Sequence, residues 1–188
     1  MSSNNLQDDP KDLMRLAKDG DTDAFERLYE IYFVPVFRYI YFRVKNKEET
    51  EDLVQEVFLK VYNSISKFQE KGRSPLAFFF VVARNTVIDY WRKKKEIKLD
   101  KPEDILKISD TKESPWGLIR RSETISIINE AIRYLPSGQQ EVIILKFIND
   151  LSNQEIALLL KKSEVAIRQL QSRALKNLRK QLKELRSL

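Results

Sequence analysis

Residues 151–180 read LSNQEIALLLKKSEVAIRQLQSRALKNLRK, and the fold of the chain turns on them. Leu151-Ser152-Asn153-Gln154-Glu155-Ile156-Ala157 is a capped helix start, and Leu160-Lys161-Lys162-Ser163 is a short turn before another helix. That spacing is the spacing of a helix-turn-helix. In the second helix Ile167, Leu170, Ala174 and Leu178 share the inner face, which leaves Arg168, Gln169, Ser172 and Arg173 on the outer one. Arg and Gln are suited to reading base edges in a major groove. Eight basic residues and one acid, Glu164, lie between Lys161 and Lys183. Phosphate contacts are therefore available on the flanks, with Lys162 and Ser163 of the turn as candidates. The plain alternative is a solvated basic helix of an ordinary bundle; the capped turn argues against it.

Upstream of this motif the helical patterns continue. Leu118 to Leu135, Gln139 to Ile148, Ser152 to Leu160 and Ser163 to Leu185 make four helices, with a break at Pro136-Ser137-Gly138. Between Glu96 and Gly117 the periodicity fails, Pro102 and Pro115 appear, and acids alternate with lysines as in an interdomain linker. The expected organisation is a first domain over 1–95, a linker over 96–117 and a second domain over 118–188. In the first domain Pro10 to Lys18 is a short helix. Asp21-Thr22-Asp23 can cap a helix from Ala24, whose face Phe25, Leu28, Tyr29, Tyr32, Phe33, Val36, Phe37, Ile40 and Tyr41 recurs at three and four, with a bend expected at Pro35. A third helix opens at Glu49 or Thr50 with Leu53, Val54, Val57, Phe58, Val61 and Tyr62 inward. Lys67 to Pro75 reads as a loop, and Leu76 to Lys95 as a fourth helix with a strongly basic end.

Composition narrows the chemistry. The 188 residues contain neither cysteine nor histidine, which removes disulfides, thiolate zinc sites, cysteine nucleophiles and histidine-based catalysis together. With 34 basic residues against 28 acidic ones the formal charge is +6, which favours a polyanionic partner. Only four glycines are present while Leu, Ile, Glu and Lys abound, so the chain reads as all-α. The longest apolar run, Leu76 to Ala83, is far short of the roughly 20 residues a membrane span needs. The polar, acidic Met1 to Pro10 has no signal-peptide core, and the cytoplasm is the expected compartment.

Two more constellations stand in the first domain. Phe78 to Arg92 interleaves aromatics with cations, a surface suited to unstacked bases, although Phe79, Val82 and Ile88 fit a core and Trp91 could close the bundle. Glu48, Glu49, Glu51, Asp52 and Glu56 with Gln55 form an acidic helix face on which Asp52, Gln55 and Glu56 point one way. Such a face is either solvated or docks a basic protein surface. No metal site is expected from these acids, which lack a converging loop.

The joint order of Glu51 to Tyr62, then Ala83-Arg84-Asn85 with Asp89 and Arg92, then the helix-turn-helix, resembles the sigma-70 family, of the two-domain extracytoplasmic-function (group 4) type. The resemblance runs from about Ala24 to Leu182. It implies a bacterial initiation factor, not an enzyme and without cofactors, that binds core RNA polymerase, directs it to promoters and opens the −10 element. By the same resemblance Asp52, Gln55 and Glu56, flanked by Phe58 and Tyr62, would dock on the clamp coiled coil of the largest polymerase subunit. Lys60, Phe68, the Gln69 to Pro75 loop, Arg84, Asn85, Asp89 and Arg92 would hold the −10 strand, with Phe68 and Asn85 leading as the pocket for a flipped base. Lys162, Ser163, Arg168, Gln169, Ser172 and Arg173 would bind the −35 duplex. An anti-sigma factor is an implied partner, and no membrane insertion is expected.

Four departures from the family pattern are present: Phe78 for the usual tryptophan, Lys161 and Val165 for glycines, and Leu170-Gln171 in reversed order. Three other classes compete. A stand-alone regulator with a helix-turn-helix would bind duplex without polymerase, but leaves the acidic face without a role. An RNA-binding protein would leave the helix-turn-helix idle. An enzyme using carboxylates would need a converging pair that the sequence does not indicate.

Overall fold

A computed structural model describes residues 9–68, 74–100 and 123–185; for 97–100 and 123–126 only the backbone is described. Among the described residues every regular element is helical, and the helices fall into two compact units. The first holds α1 (Pro10–Lys18), α2 (Thr22–Val44), α3 (Lys47–Ser64) with a 3₁₀ turn at Ile65–Lys67, and α4 (Pro75–Asp100). The second holds α5 (Glu123–Arg133), α6 (Ser137–Ile143) with a π turn at Ile144–Ile148, α7 (Asn153–Leu160) and α8 (Glu164–Leu185).

Helix starts in the first unit are set by short polar side chains that accept orphan amides. Asp9 accepts from Lys11 N at 2.8 Å and Asp21 from Ala24 N at 3.0 Å. Asn46, expected to be part of a break, is the cap of α3 and accepts from Glu49 N at 3.0 Å, so that helix begins two residues before Glu49. Ser74 accepts from Ala77 N at 3.2 Å, and α4 begins at Pro75, whose missing N–H costs nothing there. The loop expected to include Pro75 therefore ends at Ser74. At its other end α4 runs to Asp100, so the first five residues read as linker are helical. Lys, Glu and Leu carry a helix without an apolar stripe to mark it. The rest of that linker, and the helix start at Leu118, lie outside the described residues.

The core of this unit is aromatic. Phe79 of α4 is fully buried, 4.8 Å from the Tyr32 ring of α2 and 5.3 Å from the Phe58 ring of α3, and Phe80 lies 5.4 Å from Tyr39. Each such pair contributes about 0.5–1.5 kcal/mol beyond its area. The inner face of α2 differs from expectation at its edges: Tyr39 and Phe42 are buried, and Tyr29 is exposed. α2 is flanked by α1, α3 and α4 together, and a helix with three neighbours buries more than one stripe. Ile88, expected in the core, is exposed, and so is Trp91, for which closing the bundle was one of two readings. The buried series of α4 runs Phe79, Phe80, Ala83, Thr86, Val87; Ile88 falls outside that phase, whereas Trp91 follows Val87 by four residues and is exposed all the same.

In the second unit α6 starts at Ser137, within the expected break, because Pro136 stands just ahead of the first turn and Gln140 Nε2 donates back to Leu135 O at 2.7 Å. The core gathers Ile132, Ile144, Leu145, Ile156 and Ile167. Two side-chain amide pairs brace α8: Gln171 Nε2 donates to Asn153 Oδ1 at 2.7 Å, and Asn177 Nδ2 to Gln139 Oε1 at 2.9 Å.

Candidate functional site

In the second unit the turn between α7 and α8 is built from both sides. Ser152 and Glu155 form a capping box: Ser152 Oγ accepts from Glu155 N at 3.2 Å, and Glu155 Oε2 accepts from Ser152 N at 2.8 Å. α7 ends on Lys161 in the left-handed region, φ 53° and ψ 48°, which lets Lys162 N donate to Ala157 O at 2.9 Å. Ser163 Oγ accepts from Ala166 N at 3.2 Å and so starts α8. Ser163 thus has a structural task beside its expected phosphate contact. Ile167 and Ala174 are buried, Leu170 and Leu178 are half-buried, and Arg168, Gln169, Ser172 and Arg173 are exposed together. Lys162 is exposed beside them. Glu164 holds Arg168 at 3.3 Å, steering its guanidinium along the outer face. Further along, Lys176, Arg179, Lys180 and Lys183 with Ser172 and Leu175 line an open basic groove. A face with Arg and Gln in front and cations behind matches base edges flanked by phosphates.

The outer face of α4 carries the second group. Asn85 and Arg92 are exposed, Arg84 and Asp89 half-buried, and Arg92 pairs with Asp89 at 3.1 Å. Asn85, Ile88, Arg92 and Lys95 follow one another at three and four, with Trp91 alongside, so an apolar patch lies within the cationic one. Counting phase from Ala83 and Val87 would have placed Ile88 on the surface, while Trp91, at four residues from Val87, carries no such signal. Lys60 of α3 is engaged elsewhere: its Nζ is 2.6 Å from Glu56 Oε1 and donates at 3.3 Å to Oγ1 of Thr86, in the buried series of α4. Phe68 is buried, its ring edge-on to Phe78 at 5.4 Å, which leaves little of it for a base to stack on. The residues 69–73 of the expected loop lie outside the described residues.

On α3 the structure groups Asp52, Gln55 and Glu56 on one exposed side. Phe58 does not join them. It is buried against Tyr29 at 4.5 Å and Phe79, because it follows Val54 by four residues and falls on the core stripe. Tyr62, expected inward, is 48% exposed and lies edge-on to Phe25 at 5.0 Å. Leu59, missed in the sequence, is 64% exposed and follows Gln55 by four residues. The acidic face therefore continues into an apolar one. Glu49 leaves it altogether: its carboxylate meets Lys94 Nζ of α4 at 2.8 Å, with the Tyr90 hydroxyl on the same ammonium. Burial would raise the Glu49 carboxyl, but these hydrogen bonds and the Lys94 charge outweigh it and hold the group below its ordinary range. Among the described residues no cluster of acids is placed to hold a metal ion, and no helix is long and apolar enough to cross a membrane.

The family described as sigma-70 region 2 matches residues 28–97, and sigma-70 region 4 matches residues 125–178. The ECF RNA polymerase sigma factor SigX of Bacillus subtilis is 33% identical over 168 residues, covering 87% of this chain and 86% of the relative. The ECF sigma factor BldN of Streptomyces coelicolor is 35% identical over 167 residues, and the match spans 89% of this chain but only 63% of BldN. The solved structure of the sigma factor RpoE in complex with the anti-sigma factor NepR, from Bartonella quintana, has a TM-score of 0.73 at 21% identity, covering 85% of this chain and 96% of that one, and so shares the fold. With both regions matched in order and SigX covered nearly end to end, the chain belongs to the extracytoplasmic-function RNA polymerase sigma factors of the sigma-70 family.

Proposed function

We propose that this protein is a transcription initiation factor that joins core RNA polymerase through α3, places α8 in the major groove of the −35 element and opens the duplex at −10 against α4. It works in the bacterial cytoplasm and catalyses no reaction of its own. The observation that carries this reading is the pairing, in one chain, of an exposed acidic and apolar face on α3 with a capped helix-turn-helix. A regulator acting alone has no use for the first.

The docking face combines Asp52, Gln55 and Glu56 with the exposed Leu59 and Tyr62. Apolar contact there supplies affinity, and the carboxylates select a basic partner, for which the clamp coiled coil of the largest polymerase subunit is our candidate. On α8 each bidentate base contact from Arg168 or Gln169 discriminates by about 1–3 kcal/mol. On α4 the Asn85 to Lys95 face receives the non-template strand. A base must leave the stack before its Watson–Crick edge can be read, at a cost of a few kcal/mol. Stacking on Trp91 and the charge of Arg92 offset that cost. An anti-sigma factor that covers the docking and DNA faces is the expected regulator, by analogy with the RpoE complex.

The test is a binding and transcription assay with purified bacterial core polymerase on a promoter library at fixed salt. The expected result is initiation from a subset of duplexes that the free protein binds poorly. Asp52→Arg with Gln55→Ala should abolish polymerase binding in a chain that stays folded. Duplex binding without any effect of polymerase would sink the reading.

A further inference from the structure

The outward face of α8 has an apolar centre that base-pair hydrogen bonding does not use. Val165 is 61% exposed, in the first turn of the helix. At about 100° per residue it lies within roughly 20° of Ser172 and 40° of Gln169, and on the order of 160–180° from the buried Ile167 and Ala174. It is the one exposed apolar side chain among the described residues of α8; the others are Arg168, Gln169, Ser172, Arg173, Lys176 and polar residues beyond. The stretch from Val165 to Ser172 is about 10 Å long, within the width of about 12 Å that a major groove offers. A lone exposed valine is ordinary on a protein surface. This one stands at the leading turn, between the side chains placed to meet base edges.

The apolar group that a major groove presents is the C5 methyl of thymine. We infer that Val165 reads a thymine methyl in the −35 element, so that this chain distinguishes a T·A pair from other pairs at one position by apolar contact. The inference rests on the promoter reading above. Arg168 and Gln169 flank that contact and supply the hydrogen-bonded part of the readout; the bridge from Glu164 to Arg168 at 3.3 Å lies on the side of Arg168 away from Val165 and leaves the valine open.

The experiment uses the full chain assembled with core polymerase on a promoter recovered from the library, with each −35 thymine replaced in turn by deoxyuridine. Uracil lacks only the methyl and keeps the hydrogen-bonding pattern. At one thymine the wild-type holoenzyme should bind about fourfold more weakly after replacement, the worth of one buried methyl-sized group. Val165→Ser should bind both duplexes equally, and Val165→Thr, which keeps one methyl, should restore part of the difference. Neither substitution touches the core. Indifference of the wild type to every replacement, a −35 element with no A·T pair, or an unchanged ratio in Val165→Ser would overturn the inference. A holoenzyme that ignores the −35 element altogether would instead overturn the promoter reading.

Discussion

Removing the Glu49–Lys94 pair tests how α3 and α4 are fastened near the cationic end of the first unit. The ammonium and carboxylate meet at 2.8 Å, with side chains 20% and 34% exposed, and Lys94 also lies 5.6 Å from the centre of the Trp91 ring. A fully exposed pair is worth about 0.2–1 kcal/mol and a hydrogen bond to a charged group up to about 3 kcal/mol. For this half-sheltered pair the expected coupling is about 1 kcal/mol, measured by the cycle of Glu49→Gln, Lys94→Gln and the double substitution. Urea unfolding followed by Trp91 fluorescence, in a Trp116→Phe background, reads it directly, with the slope in denaturant unchanged. The pH dependence has a definite sign. The Glu49 carboxyl is held below its ordinary 4.5, so its contribution is full above about that pH and is lost as pH falls through the lower folded value. Burial would lower the Lys94 ammonium, but Glu49 and Tyr90 hold it above its ordinary 10.5, so its contribution is full below that pH and is lost as pH rises through the higher folded value. The coupling should therefore plateau between these limits. A coupling under about 0.3 kcal/mol at pH 7, within the error of additivity, would refute the account.

Two further outcomes follow from the geometry. Lys161→Gly removes a left-handed lysine, relieving about 1–2 kcal/mol of backbone cost against about 0.5–1 kcal/mol of added chain entropy. The second unit should thus gain about 0.5–1 kcal/mol, seen as slower amide exchange at Lys162, and faster exchange would contradict it. Phe79→Ala deletes the ring that joins Tyr32 and Phe58, and should cost about 3–5 kcal/mol in thermal or urea unfolding while leaving the helix-turn-helix unit intact.

The helices and the family were legible because their signals are local. Ser152 with Glu155, or the three-and-four spacing of Ile167, Leu170 and Ala174, act within one or two turns, and the structure repeats them. The surface of α8 was legible for the same reason, since one buried stripe implies its opposite. The candidate sites of the first unit were less so. Phe58 and Tyr62 are four residues apart on one helix, yet the first is covered by Tyr29 and Phe79 while the second stays open beside Phe25. A periodic pattern says which way a side chain faces, not how far the neighbouring helix extends to cover it. Trp91, four residues beyond the buried Val87, stays exposed for that reason.

The sequence by itself determined the all-helical class, the caps that start most helices, the turn before α8 and the residues that face outward on it. Each depends on groups a few positions apart, whose geometry the helix repeat dictates. Tertiary structure decided which charges and rings remain available. Glu49 is claimed by Lys94, 45 residues away, and Lys60 by Thr86 of α4, while Phe68 is enclosed against Phe78. Those outcomes depend on how separate helices dock, because an ion pair or a covered ring is made by whichever side chain another helix brings within a few ångströms.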